Sequence, residues 1–349
     1  MLSAFNISYG LGQLPAGWLA DRFGARALIT VGICGVALVG LLIGIPQSYT
    51  MLIILFVIMG LVGGGYHPSA IPLISTSVNW KVRGRALGLH QIGGSSSFFL
   101  VPLIGAAIAS AWSWRGAFIG LSIPTMVFGL VLYVLLVRKK SAGGTEAAEQ
   151  GHDEALSGLT SLKHLAVFIA LSAFTHIVAH SIKAFIPFYI EKSFGWSAAA
   201  SGAFLSIFYS TGILVSLLGG YLSDRFGAVR VVVVVSLIGG AAIYLLDIAP
   251  SSALIGVITF VIGMAVHIRM VASSAYIVSK TPKRYIATVI GIYFALMQSN
   301  SALALVVGWF INRWGYSLTF TTFAVATVAV TIIGALLLRQ GSRNQLSRA

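Results

Sequence analysis

The chain has 349 residues, of which 58% are hydrophobic and only 9% charged, with a mean hydropathy of +0.95. Soluble domains carry roughly 25% charged residues, so the composition excludes an ordinary soluble domain, and the lone Cys34, set inside an apolar run, excludes a disulfide framework or a cysteine metal site. The net charge of +14 would suggest nucleic acid in a soluble protein, but the basic residues sit in short loops without interleaved aromatics, and no nucleic-acid partner is expected.

Eleven apolar stretches follow one another, near residues 1–19, 27–45, 50–76, 86–110, 115–137, 164–190, 198–222, 229–248, 252–279, 285–311 and 316–338. Each is long enough to cross a hydrocarbon core of ~30 Å. The first, with Gly10, Gly12 and Gly17, suits close packing against a neighbour. It runs into Gly17-Trp18-Leu19-Ala20-Asp21-Arg22-Phe23-Gly24-Ala25-Arg26, which returns as Gly220-Tyr221-Leu222-Ser223-Asp224-Arg225-Phe226-Gly227-Ala228-Val229-Arg230. The offset of 203 residues between Asp21 and Asp224 also pairs Gly60 with Gly263 and Gly88 with Gly291. Three anchors at one offset predict an internal duplication. Gly24 and Gly227 permit a sharp turn, and the Asp-Arg pair can lock one helix end to its neighbour.

Within 50–76, Gly63 to Gly65 and Pro68 predict a loosened helix around Tyr66 and His67. The next loop carries Lys81, Arg83 and Arg85, and its repeat partner carries Lys280, Lys283 and Arg284. Residues 138–163 break the apolar pattern with Arg138-Lys139-Lys140 and a Ser/Gly/Glu/Gln-rich run. They read as a polar cytoplasmic linker between an N-terminal half, 1–137, and a C-terminal half, 164–338, with a tail at 339–349.

Ionisable groups inside a span are costly and usually face a cavity or a partner. His176, His180 and Lys183 are spaced i, i+4 and i+7 on 164–190, which places them on one helical stripe. His267 and Arg269 lie well inside 252–279, and Arg269 is ~16 Å of helix from Lys280, too far to snorkel easily. An arginine fork suits a carboxylate or phosphonate. By register Arg269 falls at the depth of Tyr66-His67, and Ser95 to Ser97 pair with Gln298, Ser299 and Asn300. These groups, with Tyr209, Ser210 and Thr211, predict a polar belt near the middle of the spans. The bland alternatives are histidines bonded to neighbouring helices, serines as packing glue, and Lys183 reaching outward.

If loops alternate sides, almost all loop lysines and arginines fall on one side, leaving Arg115, Lys192 and Arg313 on the other. This bias puts both repeated turns and the C-terminus in the cytoplasm. An odd number of spans then leaves the N-terminus outside. The second half has a span at 164–190 with no counterpart in the first, so one N-terminal helix is expected to be missing, through truncation or a mis-set start. A signal peptide at 1–19 is not expected.

The repeated Gly-x-x-x-Asp-Arg-x-Gly turn, followed by an Arg two residues on in the first copy (Arg26) and three residues on in the second (Arg230), resembles the loop signature of the major facilitator superfamily, present in both halves. The resemblance implies an all-α integral membrane fold of two pseudo-symmetric six-helix halves and alternating access around a midplane site. It assigns Asp21, Arg22, Arg26, Asp224, Arg225 and Arg230, with Arg83 and Arg85, to gating. Topology anchoring alone is the competing reading for the arginines. Tyr66-His67-Pro68-Ser69-Ala70 and Arg85-Ala86-Leu87-Gly88-Leu89-His90 resemble the fosmidomycin-resistance-like branch, and an organic-anion-porter branch is the other candidate. Drug exporters of the superfamily often carry an Arg where this chain has Phe56.

The expected function is a proton-coupled transporter of a small anionic organic solute in the cytoplasmic membrane. His67, His176, His180 and His267 would titrate, Lys183 and Arg269 would supply positive potential, and Tyr66, Tyr209, Gln298 and Asn300 would complete the site. A drug or antibiotic efflux pump is the alternative. Further rivals are a metal carrier using His176 and His180 with His267, and a non-transporting sensor or inactive fragment. No enzymatic motif appears; no cofactor beyond an ion gradient is expected, and the partners are the bilayer and the solute, with the protein a monomer.

Overall fold

The computed structural model describes residues 1–45, 48–142 and 159–346. The core of the expected linker, residues 143–158, Pro46 of the first outer turn and the last three residues of the tail lie outside the described residues. Twelve α-helices are described: α1 (Leu2–Phe23), α2 (Ala25–Ile43), α3 (Tyr49–Gly63), α4 (Tyr66–Thr76), α5 (Arg83–Ala111), α6 (Trp114–Ala142), α7 (Leu159–Phe194), α8 (Ala198–Phe226), α9 (Ala228–Leu245), α10 (Ser252–Lys280), α11 (Ile286–Met297) and α12 (Asn300–Leu346). Backbone groups that cross a bilayer must bond within their own segment, and uninterrupted helices do so.

Among the described residues nine stretches are long and apolar enough to cross a membrane, against the eleven expected. The difference has two sources. Helix α1 carries Asn6, Gln13 and Pro15 and falls short of the apolar measure. The last two expected spans count as one stretch, Lys283–Arg339, because α12 covers two helices that meet in a kink at Gly315, φ 81°, with no intervening loop.

Three of the expected local breaks are present. Positive φ at Gly24 (94°) and Gly227 (86°) turns α1 into α2 and α8 into α9 with no intervening loop, a conformation that costs a side-chain-bearing residue strain. The span 50–76 is interrupted at Gly64 and Gly65, where the Gly65 N–H donates to the Val62 carbonyl in a tight turn. Pro68 then sits in the first turn of α4, where its missing N–H costs nothing.

The chain forms two compact units. One comprises residues 1–79, 100–155 and 281–298 and the other 80–99, 156–280 and 299–349, so each takes a short segment from the opposite half of the sequence. In the first unit α1 packs on α3 and α11, and α2 on α3 and α6, with Val39, Ile43 and Leu55 as a small buried cluster. In the second, α10 packs on α8 and α9, and α12 on α7 and α9, around a larger core that includes Ile182, Ile186, Phe208, Ile262 and Phe320. Large apolar side chains also point outward, Leu305 at 78% exposure among them. In a bilayer that surface is matched by lipid, so close backbone approach and hydrogen bonding, rather than apolar burial, hold the helices together.

Glycines supply that approach. A Cβ on Gly17 would lie 2.5 Å from the Ala287 carbonyl oxygen, and one on Gly12 would lie 2.6 Å from that of Leu61. In the second unit a Cβ on Gly220 would strike the Gly84 carbonyl. Gly291 abuts the Gln13 backbone in the first unit, and Gly88 abuts that of Ser216 in the second. The contacts of Gly17 and Gly220, and those of Gly88 and Gly291, repeat at the 203-residue offset found in the sequence.

Candidate functional site

The two signature aspartates act as helix caps. In the first unit the Asp21 carboxylate accepts the Ala287 N–H (2.9 Å), the Thr288 N–H (2.7 Å) and the Thr288 hydroxyl (2.6 Å), at the start of α11. In the second unit the Asp224 carboxylate accepts the Gly84 N–H (2.8 Å) and the Arg85 N–H (3.1 Å), at the start of α5, and lies 3.5 Å from Arg85 Nε. A carboxylate at a helix N-terminus meets unsatisfied N–H groups and the positive end of the dipole. Arg83 lies within electrostatic reach of Asp224.

The signature arginines do something else. Arg22 rests over the rings of Trp18 and Phe23, at 5.3 and 5.7 Å. Arg225 bonds the Tyr221 hydroxyl and rests over Phe226. Arg26 is half-buried at the start of α2. Arg230 lines a cavity with Lys280 and Arg339.

The predicted belt divides between the units. In the second unit α7, α8 and α10 bring most of it together. Lys183, 8% exposed, donates to the Tyr209 hydroxyl (2.9 Å) and sits 3.2 Å from His180 Nδ1. Its ammonium lies over the rings of Phe208 and Tyr209, at 4.8 and 4.6 Å. An ammonium only donates, so His180 Nδ1 is the acceptor and the ring proton sits on Nε2. His176 stacks on His180 at 4.1 Å. His267 Nδ1 lies 2.8 Å from the Gly263 carbonyl and 2.9 Å from Thr211 Oγ1. A carbonyl only accepts, so Nδ1 carries the proton and Nε2 is left as an acceptor in the neutral ring. Phe208 joins the groups, at 5.3 Å from His180 and 5.6 Å from His267. Arg269 is 2% exposed, and its charge acts on both His176 and His180. The Phe98 ring stacks on Tyr209 at 4.7 Å. Asn300 offers its backbone carbonyl to the Ser181 hydroxyl (2.9 Å).

The first unit holds the rest. His67 stacks on Phe294 at 4.5 Å with Tyr66 edge-on at 5.5 Å. Gln298 lies against Gly10. Sequence reasoning missed Gln13, fully buried on α1 with neither amide atom of its side chain hydrogen-bonded; an amide inside a glycine-rich apolar helix was the available signal. The serines look structural. Ser96 and Ser97 bond carbonyls of their own helix, and Ser95 packs at Gly212.

The second-unit cluster is rich in donors. With Nδ1 engaged, His180 offers Nε2–H. Tyr209 receives the lysine proton and keeps its own hydroxyl hydrogen to give, and Lys183 has a third N–H. A metal site fits poorly, because stacked imidazoles do not converge their lone pairs on one ion. Among the described residues no three His, Cys, Asp or Glu side chains gather as metal ligands.

A family model described as Major Facilitator Superfamily matches residues 1–305 and 169–347. A probable L-galactonate transporter of Escherichia coli (strain K12) is 24% identical over 238 residues, 64% of this chain and 52% of that protein. A multidrug resistance protein MdtG of Enterobacter lignolyticus (strain SCF1) is 24% identical over 259 residues, 71% of this chain and 60% of that protein. The chain therefore spans between half and about three fifths of the length of these curated relatives. Among solved structures, the human organic anion transporter MFSD10 matches with a TM-score of 0.78 at 17% identity, covering 96% of this chain and 82% of that one. The E. coli fucose:proton symporter FucP matches with a TM-score of 0.72 at 17% identity, covering 97% and 89%. With the duplicated Asp-Arg turns, the apolar helices and the match along nearly its whole length, the chain belongs to the Major Facilitator Superfamily.

Proposed function

We propose that the protein is a secondary active transporter of a small organic anion, coupled to protons and working by alternating access between two pseudo-symmetric halves of eleven spans. The observation that carries the reading is the buried, donor-rich cluster around Lys183. Its ammonium is placed among neutral partners, a phenol and an imidazole, and a charge held in an apolar span needs a counter-ion. Lys183 Nζ, Tyr209 Oη and His180 Nε2 together offer more hydrogens than acceptors, which suits a carboxylate or phosphonate. Arg269 adds a second permanent cation and a fork for the same kind of group. His67, His176, His180 and His267 are the groups suited to carry protons, with Tyr66, Gln298 and Asn300 as further polar contacts. The resemblance to a protein named as a galactonate transporter, a sugar-acid carrier, agrees with this class. The aspartate caps at α5 and α11 are the bonds that break and re-form as the cytoplasmic side opens, and the signature turns and the C-terminus face the cytoplasm.

Drug efflux is the second reading, and the specific observation for it is the set of relatives named as multidrug resistance proteins. The two readings separate in a thermal-stability screen of the purified protein with pooled organic anions and hydrophobic cations. A small carboxylate or phosphonate is expected to stabilise, and Arg269→Gln to weaken that stabilisation at least 10-fold while expression stays within a factor of two. Stabilisation by cations alone, or equal loss of expression and response, would remove Arg269 and the anion from the account.

A further inference from the structure

At the ends of four helices in the second unit lies an open-sided cavity of about 790 Å³. His164 enters from α7, Arg230 from the first turn of α9, Tyr276 and Lys280 from the last turns of α10, and Arg339 from α12. Three permanent cations and a histidine thus rim one space, and none of the residues described as lining it is acidic. The three cations are exposed and of one sign, so together they present a positive rim to which an anion is attracted. The cavity is separate from the cluster around Lys183. On α10, Lys280 is ~16 Å of helix beyond Arg269, and no residue of that cluster lines it.

The walls narrow the chemistry further. Val233 and Val234 of α9 and Leu338 of α12 form an apolar side, and Val234 is 54% exposed, so the cavity opens along an apolar helix face. Two arginine forks and a lysine suit the several oxygens of a phosphate group better than a single carboxylate. A tyrosine hydroxyl adds a neutral donor, and the apolar side accepts hydrocarbon.

We propose that this cavity binds a phosphate-bearing anion whose charged group sits among Arg230, Lys280 and Arg339 and whose apolar part lies along α9. Two sources share that chemistry: the headgroup of an anionic phospholipid, held at the height where helix ends meet a charged membrane surface, and a soluble phosphate ester. On this reading Arg230, the last residue of the second signature turn, is a ligand of the anion. Occupancy bridges α7, α9, α10 and α12 and tightens the second unit.

The test uses the full chain, delipidated in detergent and probed by thermal melting with four additives: inorganic phosphate, glycerol phosphate, a short-chain phosphatidylglycerol and a phosphatidylcholine of the same chain length. Phosphatidylglycerol is expected to raise the melting temperature and phosphatidylcholine to leave it unchanged. The Arg230→Gln/Arg339→Gln double variant is expected to raise the half-saturating concentration at least 5-fold, and Arg230→Lys/Arg339→Lys to restore most of the response. Equal saturation by glycerol phosphate would support the site with a soluble source, and a response confined to phosphatidylglycerol would support it with a lipid source. Stabilisation by phosphatidylcholine as strong as by phosphatidylglycerol, a response that survives the glutamine variant unchanged, or no response to any phosphate would overturn the proposal. Elution of the glutamine variant as a monodisperse peak keeps its lost response distinct from misfolding.

Discussion

Lys183 is a four-carbon ammonium 8% exposed, with a phenol, an imidazole and two ring faces around it. Each contact is favourable, but none cancels the charge. Lys183→Met should keep the packing volume and lose the charge, and binding of an anionic solute should fall at least 30-fold, about 2 kcal/mol, as measured by titration calorimetry. Tyr209→Phe removes one hydroxyl and should cost only 3- to 10-fold, the loss of a single hydrogen bond. A cost for Tyr209→Phe equal to that of Lys183→Met would mean that packing, not charge, governs the site. The stripe His176-His180-Lys183 was legible because titratable groups at helical spacing stand out in an apolar run. The bond between His267 and Thr211 was not, because it spans two helices, and sequence carries no distance between them. Gln13 was missed for a related reason. A lone amide in a long apolar helix reads as tolerated polarity until its burial is known.

At the scale of elements, the signature turns join helices and then fasten them. Glycine with positive φ makes the corner, and the aspartate three residues earlier caps the start of another helix. Asp21→Ala removes three hydrogen bonds to α11 and should destabilise by about 2 kcal/mol, since a lost cap costs roughly 1 kcal/mol and charge-assisted bonds are stronger. Asp21→Asn keeps an acceptor and should lose about half as much. Melting in detergent measures both, and an unchanged melting temperature for Asp21→Ala would show that the cap carries no stability. Gly220→Val places a branched side chain against the Gly84 carbonyl and should separate α8 from α5. Cross-linking of cysteines introduced on these helices should fall in the variant, and undiminished cross-linking would contradict the close approach. The turns and the glycine contacts were legible from the 203-residue repeat. The interruption at Gly64 and Gly65 was legible from consecutive glycines. The corner at Gly315 was legible as well, since the expected spans end at 311 and resume at 316 and the non-helical residue falls between them.

At the scale of the whole molecule, the apolar surface, the duplicated turns and the match to the Major Facilitator Superfamily belong to one account. The family was legible because its signature is local, ten or eleven residues long and present twice. The contacts within the cluster proposed to bind the solute were not, because its residues come from α7, α8 and α10, lie far apart in the chain and meet only after folding. The central claim is that this cluster passes a small organic anion down a proton gradient. The direct measurement is uptake of labelled solutes into liposomes holding the protein, with the lumen made alkaline relative to the outside. The account predicts gradient-dependent uptake of a sugar-acid carboxylate, abolished by a protonophore, with no accumulation of hydrophobic cations. Uptake of no carboxylate or phosphonate under that gradient, together with accumulation of hydrophobic cations when the lumen is instead made acidic, would contradict it and favour drug/proton exchange.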